Sequence, residues 1–255
     1  MCLVIIGWQQ HREYPLILAG NRDEFHARPT QEAHWWPDQA DIVGGRDLQA
    51  AGTWLALRRN GRFATVTNFR DAEPPSAKLR SRGHLVSDFL KSADSPLDYL
   101  SRIDGAAYGG FNLLVGEGDT LAWLSNRSGP PRVLAPGIYG LSNALLDSPW
   151  HKVLRSKAAL RQLIEEDRVN ASALMRLLGD RDKAPASEIA DEHLSFATAH
   201  AISAPFIVLP DYGTRSSSVV LGEVSGAWHF QERTFDATGK ASGDATFTLA
   251  PARQE

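Results

Sequence analysis

The sequence opens with MCLVIIGW (residues 1–8), an apolar stretch with a cysteine at its second position. Residues 3–6 form an unbroken aliphatic run, which is typical of a strand in a protein core. Cys2 is the only cysteine among 255 residues. An unpaired cysteine is usually a small buried hydrophobic residue, and that is one interpretation of Cys2. The other is chemical: if Met1 is removed, Cys2 becomes the N-terminal residue and carries a nucleophilic sulfur and a free α-amine together.

The composition is that of an ordinary globular protein. Hydrophobic residues make up 43% of the chain and charged residues 22%, and a chain of 255 residues can bury a sizeable core. We expect one domain spanning residues 1–255. The net charge of −3 argues against a general nucleic-acid binder, because such proteins need a basic face to replace counterions. The sequence gives no indication of the oligomeric state.

The cysteine content and the N-terminal apolar run also bear on location. One cysteine cannot form an internal disulfide, which favours a reducing compartment. The run of residues 3–6 is too short to span a membrane, and no basic region precedes it as in a signal peptide. We therefore expect a cytoplasmic protein without stable membrane insertion.

The order of the elements predicts an α+β fold. Short apolar runs bounded by Gly, Asn and Pro predict strands in the first seventy residues, at CLVIIGW, PLILAGN, TWLAL and FATVTNF. Helical spacing follows at residues 82–91, 96–103, 150–166 and 170–178, with strands between and after these helices. In the helix of residues 150–166, Val153, Leu154, Ala158 and Leu160 are expected to face a core. Strands, then helices, then strands again favour α+β over an alternating parallel sheet.

One hairpin is visible in the sequence. TWLALRRNGRFATVTNF places Asn60-Gly61 between two apolar runs, and this dipeptide is typical of a tight type I′ turn.

The stretch LAGNRDEFHARP supplies what a thiol nucleophile needs. A thiol attacks as the thiolate, and the α-amine of the same residue can act as its base if an acidic group orients that amine. The strand PLILAG would run antiparallel to CLVIIGW, so Asp23 or Glu24, just past its end, is expected near Cys2. With Arg22 beside the sulfur, we expect a partly ionised thiol. A solvated turn is the plain alternative for this stretch.

These residues carry a resemblance. Cys2, NRDEFHARP, GGRDLQAAGTWLAL, NGRFATVTNFRD, SRGHLV, GLSNALLDSPW and YGTRSSS together resemble the NRDE family, which is also the transport and Golgi organisation protein 2 family. The match runs from Cys2 to about Val220. It implies a relationship to the N-terminal nucleophile hydrolases, and with it a four-layer αββα sandwich of two antiparallel sheets. It also implies a connection with lipid or haem homeostasis.

A more distant resemblance, to the choloylglycine hydrolase family of penicillin V acylases and bile salt hydrolases, implies roles for single residues. That family uses an N-terminal cysteine made by removal of Met, followed by an R-N-x-D stretch. Asn21 and Asp23 match its Asn and Asp, so Asp23 would orient the amine, whereas Gly20 stands where the family has Arg. The later stretches imply that Asn68 and Asn143 stabilise the oxyanion, and that Arg215 matches a late active-site arginine.

Several other residues are candidates with a plain alternative. Trp54 and the pair Trp35-Trp36 would line an acyl pocket or simply pack in the core. Lys78, Arg80 and Arg82 would bind a phosphate at a helix entrance or form a solvated basic loop. Glu192, His193 and His200 have loose spacing for metal ligands, and we predict neither a metal nor a cofactor.

The sequence therefore predicts a hydrolase acting on an acyl amide or thioester. Its catalytic residues would be Cys2, Asp23, Asn68, Asn143 and Arg215, and its substrate-binding residues Asn21, Arg22, Glu24 and Trp54. The alternative is a non-catalytic binding or carrier protein for a hydrophobic anionic ligand such as acyl-CoA or haem. The small-molecule partner is the same in both cases, an acyl or other hydrophobic anionic compound.

Overall fold

Strand β1 (Cys2–Trp8) is buried on both of its faces. The computed structural model describes residues 2–71, 79–189 and 194–250. Leu3 and Ile5 pack against helices, whereas Val4 and Ile6 pack between two sheets. Full burial of each large aliphatic side chain stabilises the fold by roughly 1.5–3 kcal/mol, and a strand buried on both faces is therefore most stable when its sequence is an unbroken apolar run.

Thirteen strands within the described residues form two antiparallel sheets. The further strands of the first sheet are β2 (Leu16–Phe25), β10 (Gly137–Leu141), β11 (Tyr212–Gly222), β12 (Trp228–Phe235) and β13 (Ala241–Leu249). The second sheet comprises β3 (Thr30–Trp36), β4 (Gln39–Asp47), β5 (Leu55–Arg58), β6 (Phe63–Asn68), β7 (Phe111–Glu117), β8 (Thr120–Ser125) and β9 (Arg132–Val133). The first sheet has the order β10-β1-β2-β11-β12-β13, and the second runs from β3 to β9 in sequence order.

Helices cover the outer face of each sheet. The helices are α1 (Gly83–Lys91), α2 (Pro96–Ser101), α3 (His151–Glu165), α4 (Ala171–Leu178) and α5 (Phe196–Ala201). Helices α3 and α4 pack on the first sheet, and α1 and α2 pack on the second. One core lies between the sheets, and one lies under each helical layer. This arrangement confirms the predicted four-layer α+β sandwich.

The predicted hairpin is present, but its turn differs from the prediction. Gly61 has a φ of +88°, whereas Asn60 does not have the positive φ that a type I′ turn requires. The Gly61 N–H donates to the carbonyl of Arg58, and the side-chain oxygen of Asn60 accepts from the Arg62 N–H. This longer connection lets a single left-handed residue close the hairpin.

The segment NRDEF is buried strand rather than a turn after a strand. β2 continues to Phe25 because β1 pairs with it on one side and β11 on the other, which satisfies its backbone groups. Asn21, Arg22 and Asp23 are all buried.

The buried face of α3 also differs from the prediction. Val153 and Leu160 are buried as expected, but Leu154 and Ala158 are exposed. Lys152 and Ser156 lie on the core face instead, at a spacing of four residues from each other and from Leu160. In the part of the chain that the structure describes, no helix combines the length and apolar character needed to cross a bilayer.

Candidate functional site

The candidate site lies where the ends of β1, β6 and β10 meet. The backbone N–H of Cys2 donates to Oδ1 of Asn143 over 3.2 Å, and Asn143 is the second residue after the end of β10. Nδ2 of Asn143 donates to the carbonyl of Asn68 over 2.6 Å. Oγ of Ser142 donates to the carbonyl of Cys2 over 2.7 Å. One amide side chain thus joins the Cys2 nitrogen to the end of the facing sheet.

The register of β2 places the charged stretch beside Cys2. Cys2 lies directly opposite Arg22 in the antiparallel pair, so both side chains lie on the face toward the second sheet. Gly20 is opposite Val4, two residues earlier on the same face. Arg22 therefore brings a guanidinium to this face from a position two residues beyond the expected arginine.

Arg22 is held in place by an aromatic ring and a carboxylate. Its guanidinium carbon lies 4.4 Å from the centre of the Trp54 ring, and its Nη2 lies 3.9 Å from Oε2 of Glu24. Its Nη1 is buried and has no hydrogen-bond partner among the described residues. An unused donor on a buried cation beside the cavity would suit a bound anion.

Asp23 lies in a fully buried position. Oγ1 of Thr214 donates to its Oδ1 over 2.7 Å, and the hydroxyl of Tyr212 donates to its backbone carbonyl over 2.8 Å. Burial raises the pKa of the Asp23 carboxyl, and the positive charge of Lys152 opposes this rise. Asp23 is thus held in one orientation, with a buried cation nearby to support its ionised form.

Lys152 is a functional candidate that our sequence analysis missed. The residue is only 2% exposed, and its Nζ lies 3.3 Å from the carbonyl oxygen of Ile202. Burial lowers the pKa of Lys152, and the charge of Asp23 opposes this effect. The spacing of Lys152, Ser156 and Leu160 is the signal that could have placed this lysine on the core face.

The thiol of Cys2 differs from our expectation of partial ionisation. Burial raises the pKa of the Cys2 thiol. A backbone hydrogen bond from Asp23 and the charge of Arg22 lower this pKa, but the effect of burial is larger. The thiol is therefore largely neutral at pH 7, and a base has to remove its proton for attack.

This pKa direction predicts the pH dependence of alkylation. Because only the thiolate reacts, the rate of iodoacetamide labelling of native Cys2 should rise with pH, with a midpoint above the ordinary thiol value of about 8.5. The measurement is the labelling rate by mass spectrometry between about pH 6.5 and 10.5, roughly two pH units on either side of that value. Cys2 is the only cysteine, so the signal needs no deconvolution. A midpoint below that of free cysteine would contradict the prediction.

A cavity of about 500 Å³ lies beside the thiol, and we call it the Cys2 cavity. Its lining includes Cys2, Arg22, Asp23, Glu24, Arg28, Asp47, Trp54, Val66, Asn68, Arg80 and Arg82. Arg28 is paired with Asp47 at 2.6 Å, and Arg80 lies 3.9 Å from Asp88. Arg82 donates to the carbonyl of Gly110 over 3.1 Å. The cavity therefore presents several guanidinium groups around a thiol.

The structure brings most of the expected site residues together. Cys2, Arg22, Asp23, Glu24, Trp54 and Asn68 line the cavity, and Asn143 contacts Cys2 and Asn68 beside it. Trp54 lines the cavity and also packs against the core between the sheets, so both interpretations given for it describe its position.

Two of the expected residues lie elsewhere. Arg215 sits at a bulge of β11 and donates to the carbonyls of Phe25, His26 and Arg28. It is absent from the lining of the Cys2 cavity and holds the turn after β2. The side chain of Asn21 points to the helical layer, where it donates to the carbonyls of Leu178 and Pro205. Their predicted roles in catalysis and substrate binding have no contact with the thiol to support them.

The remaining candidates are the tryptophan pair, the basic residues before α1 and the loosely spaced metal ligands. Trp35 and Trp36 pack in the cores on either side of the second sheet, which agrees with the packing interpretation. Arg80 and Arg82 line the Cys2 cavity near the start of α1, whereas Lys78 lies outside the described residues. Glu192 and His193 also lie outside them. No cluster of metal-ligating side chains occurs within residues 2–71, 79–189 and 194–250.

Solved structures of two hydrolases share this fold. The chain is similar to the C2A mutant of a conjugated bile acid hydrolase from Clostridium perfringens, with a TM-score of 0.52 and 8% identity, over 100% of this chain and 99% of that one. It is also similar to the N-acylethanolamine-hydrolyzing acid amidase ortholog of Caenorhabditis elegans, with a TM-score of 0.50 and 10% identity, over 86% and 92% of the two chains. At such low identity, the likeness shows the fold alone.

Sequence comparison gives the family. The Transport and Golgi organisation 2 family model matches residues 1–237. The Transport and Golgi organization protein 2 homolog of Bos taurus is 34% identical, covering 92% of this chain and 93% of its own. Transport and Golgi organization protein 2 of Drosophila melanogaster is 32% identical, covering 87% and 86%. The resemblance carried by Cys2 and the NRDE stretch is thus confirmed, and the chain belongs to the Transport and Golgi organisation 2 family.

Proposed function

We propose that this protein is an N-terminal nucleophile hydrolase that cleaves an acyl amide or thioester with Cys2. The observation that carries the proposal is the hydrogen bond from the Cys2 nitrogen to Asn143. It fixes the nitrogen that would become the α-amine, while the sulfur on the same residue lines the cavity. A core cysteine needs no such arrangement.

The chemistry follows from removal of Met1. The freed α-amine takes the thiol proton as the sulfur attacks the acyl carbonyl, and a tetrahedral oxyanion forms. As the oxyanion collapses, the bond to the leaving group breaks, and the ammonium returns the proton to that group. Water then attacks the resulting acyl-thioester, with the amine again acting as base, and releases the acid and the free thiol. A thiol that is neutral at rest suits this mechanism, because the amine collects the proton only during attack.

The surrounding residues take separate roles in this proposal. The carboxylate of Asp23 orients the amine and stabilises its protonated form. Asn143 has one further N–H beyond the one that it donates to Asn68, and we assign that N–H, together with the Asn68 side chain, to the oxyanion. The charge of Arg22 stabilises the thiolate as it forms.

The charge of the cavity indicates the substrate class. Arg22 and Arg82 both line it, and Arg22 has a donor without a partner among the described residues. We therefore propose an acyl donor that carries a carboxylate or a phosphate.

We also propose the cytoplasmic location that the sequence led us to expect.

One observation favours the alternative of a non-catalytic carrier for a hydrophobic anionic ligand such as acyl-CoA or haem. Burial raises the pKa of the Cys2 thiol, as expected of an unreactive cysteine. The same arginines would then hold the ligand without any reaction at the sulfur.

Protection of Cys2 from labelling locates the ligand in the Cys2 cavity, and turnover of the ligand distinguishes the two functions. We expect anionic acyl thioesters to slow iodoacetamide labelling of native Cys2 and to be hydrolysed, because substrate and reagent compete for one thiol. Uncharged thioesters of the same chain length should protect about tenfold less effectively, since they lack a partner for the arginines. As a control, protein carrying Arg102→Gln should be protected by the anionic thioesters to the same extent as wild type, because Arg102 forms an exposed ion pair with Asp94 outside the cavity. Labelling only after denaturation, without turnover of any acyl donor, would leave the carrier as the function.

A further inference from the structure

A second cavity of about 440 Å³ lies at the start of α3, on the helical side of the first sheet. We call it the α3 cavity. It is lined by Arg70, Trp150, His151, Lys152, Leu154 and Ile202, among others. The proposed hydrolase mechanism uses only one of these residues, Lys152, and only through its charge. Volumes of about 300–1,000 Å³ are typical of small-molecule sites.

One side of the α3 cavity is cationic. Lys152 is almost completely buried, and the single hydrogen bond described for its three N–H donors goes to Ile202, over 3.3 Å. The guanidinium of Arg70 lies 4.8 Å from the Trp150 ring centre, also at the cavity wall. Among the described residues of the lining, the one carboxylate is that of Glu188, which lies 3.1 Å from Nδ1 of His151.

The start of α3 at this wall also suits an anion. Trp150 is the N-cap residue of α3 and makes no side-chain capping hydrogen bond. The N–H groups of Val153 and Leu154 donate to the Trp150 carbonyl, so the N–H groups of His151 and Lys152 are the ones that a ligand could meet.

The rest of the wall is apolar. Leu154 is 53% exposed although its chemistry favours burial, and Trp150, Ile189 and Ile202 lie around the same space. An exposed leucine is unremarkable alone, but here it borders a cavity that has a buried cation at its base.

We propose that the α3 cavity binds a small amphipathic carboxylate. Its charged end meets Lys152 and the first turn of α3, and its aliphatic part packs on Trp150 and Leu154. This site is separate from the Cys2 cavity and does not depend on the proposed hydrolase activity.

The experiment is calorimetric titration of the full-length protein with decanoate. We expect saturable binding of decanoate, and binding at least about tenfold weaker for decanol and decyltrimethylammonium, which lack the anion. Leu154→Asp should weaken decanoate binding by about tenfold or more, because it places a like charge at the wall. The matched control is Val133→Asp, at a position 52% exposed on β9, which should leave affinity within about twofold.

Three outcomes would overturn the proposal. They are no decanoate binding, equal binding by the Leu154→Asp and wild-type proteins, and loss of binding when Cys2 is alkylated. The last would place decanoate in the Cys2 cavity. Decanoate binding retained after alkylation of Cys2 would support the α3 site, whether or not the wild-type protein turns over acyl donors.

Discussion

Replacing Cys2 by serine is expected to reduce acyl-donor turnover by about 10⁴-fold or more, which in practice means to below detection. The hydroxyl is a far poorer nucleophile than the thiolate in a site shaped for sulfur, although the amine base is retained. The measurement is kcat/KM for an anionic acyl thioester, using protein that begins at residue 2.

The control for this prediction is ligand affinity. Cys2→Ala should bind a non-hydrolysable analogue of the thioester within about threefold of wild type, because one small side chain contributes little to a pocket of this size. Turnover by the Cys2→Ser protein at a rate near that of wild type would show that the sulfur is not the nucleophile.

Asp23→Asn is expected to lower turnover by about 10²- to 10⁴-fold, the range that is typical of losing acid-base support. A neutral amide cannot stabilise the ammonium that forms as the α-amine accepts the thiol proton. The carboxyl of Glu24 lies toward Arg22 and Arg28 instead, so Glu24→Gln should cost less. Equal losses, or a larger loss at Glu24, would mean that the orienting carboxylate has been assigned one residue out.

The pKa of Asp23 gives this prediction a pH signature. Burial raises that pKa above the ordinary aspartate value of about 3.9. As the pH falls, the carboxyl is therefore protonated, and loses its ability to hold the ammonium, before the pH reaches that ordinary value. Turnover should therefore fall with acid through a limb that lies above that value. In Asp23→Asn this limb should be absent from the pH profile of the remaining activity.

The electrostatic partner of Asp23 separates loss of chemistry from loss of folding. Asp23→Asn removes the negative charge that supports the buried ammonium of Lys152, so we expect it to lower the free energy of unfolding as well as turnover. Asp23→Asn combined with Lys152→Met removes both charges and should recover much of that stability. If turnover recovers together with the melting temperature, Asp23 acts only through stability.

The sequence could predict those parts of the site that follow from strand pairing. Two apolar runs separated by a short loop predict an antiparallel pair, and pairing brings residues 22–24 to Cys2. The continuation of β2 through NRDEF could not be predicted this way, because charged residues usually end a strand. The buried polar groups have partners here: Thr214 on β11 donates to the Asp23 carboxylate, and Asn21 donates to the Leu178 carbonyl on α4.

Other features depend on tertiary contacts that a single sequence does not reveal. Lys152 belongs to an amphipathic helix whose charged residues would ordinarily face solvent, and only the packing of α3 on β1 and β10 places this lysine near Asp23. Strands β3 and β13 were also not predicted, because many of their residues are exposed and their apolar alternation is weak, and β4 was not predicted although its central residues are buried. The resemblance to acylases brought Arg215 into the site, whereas the bulge in β11 directs it to the turn after β2.

The proposed hydrolase mechanism depends most on the α-amine of Cys2, which exists only if Met1 is removed. The most direct test is the intact mass of the protein purified from its native host. We predict a mass equal to that of the chain without its initiator methionine, with Cys2 as the first residue in N-terminal sequencing. Retention of the complete initiator methionine in every molecule would contradict the amine-base mechanism and leave the thiol without its proposed base.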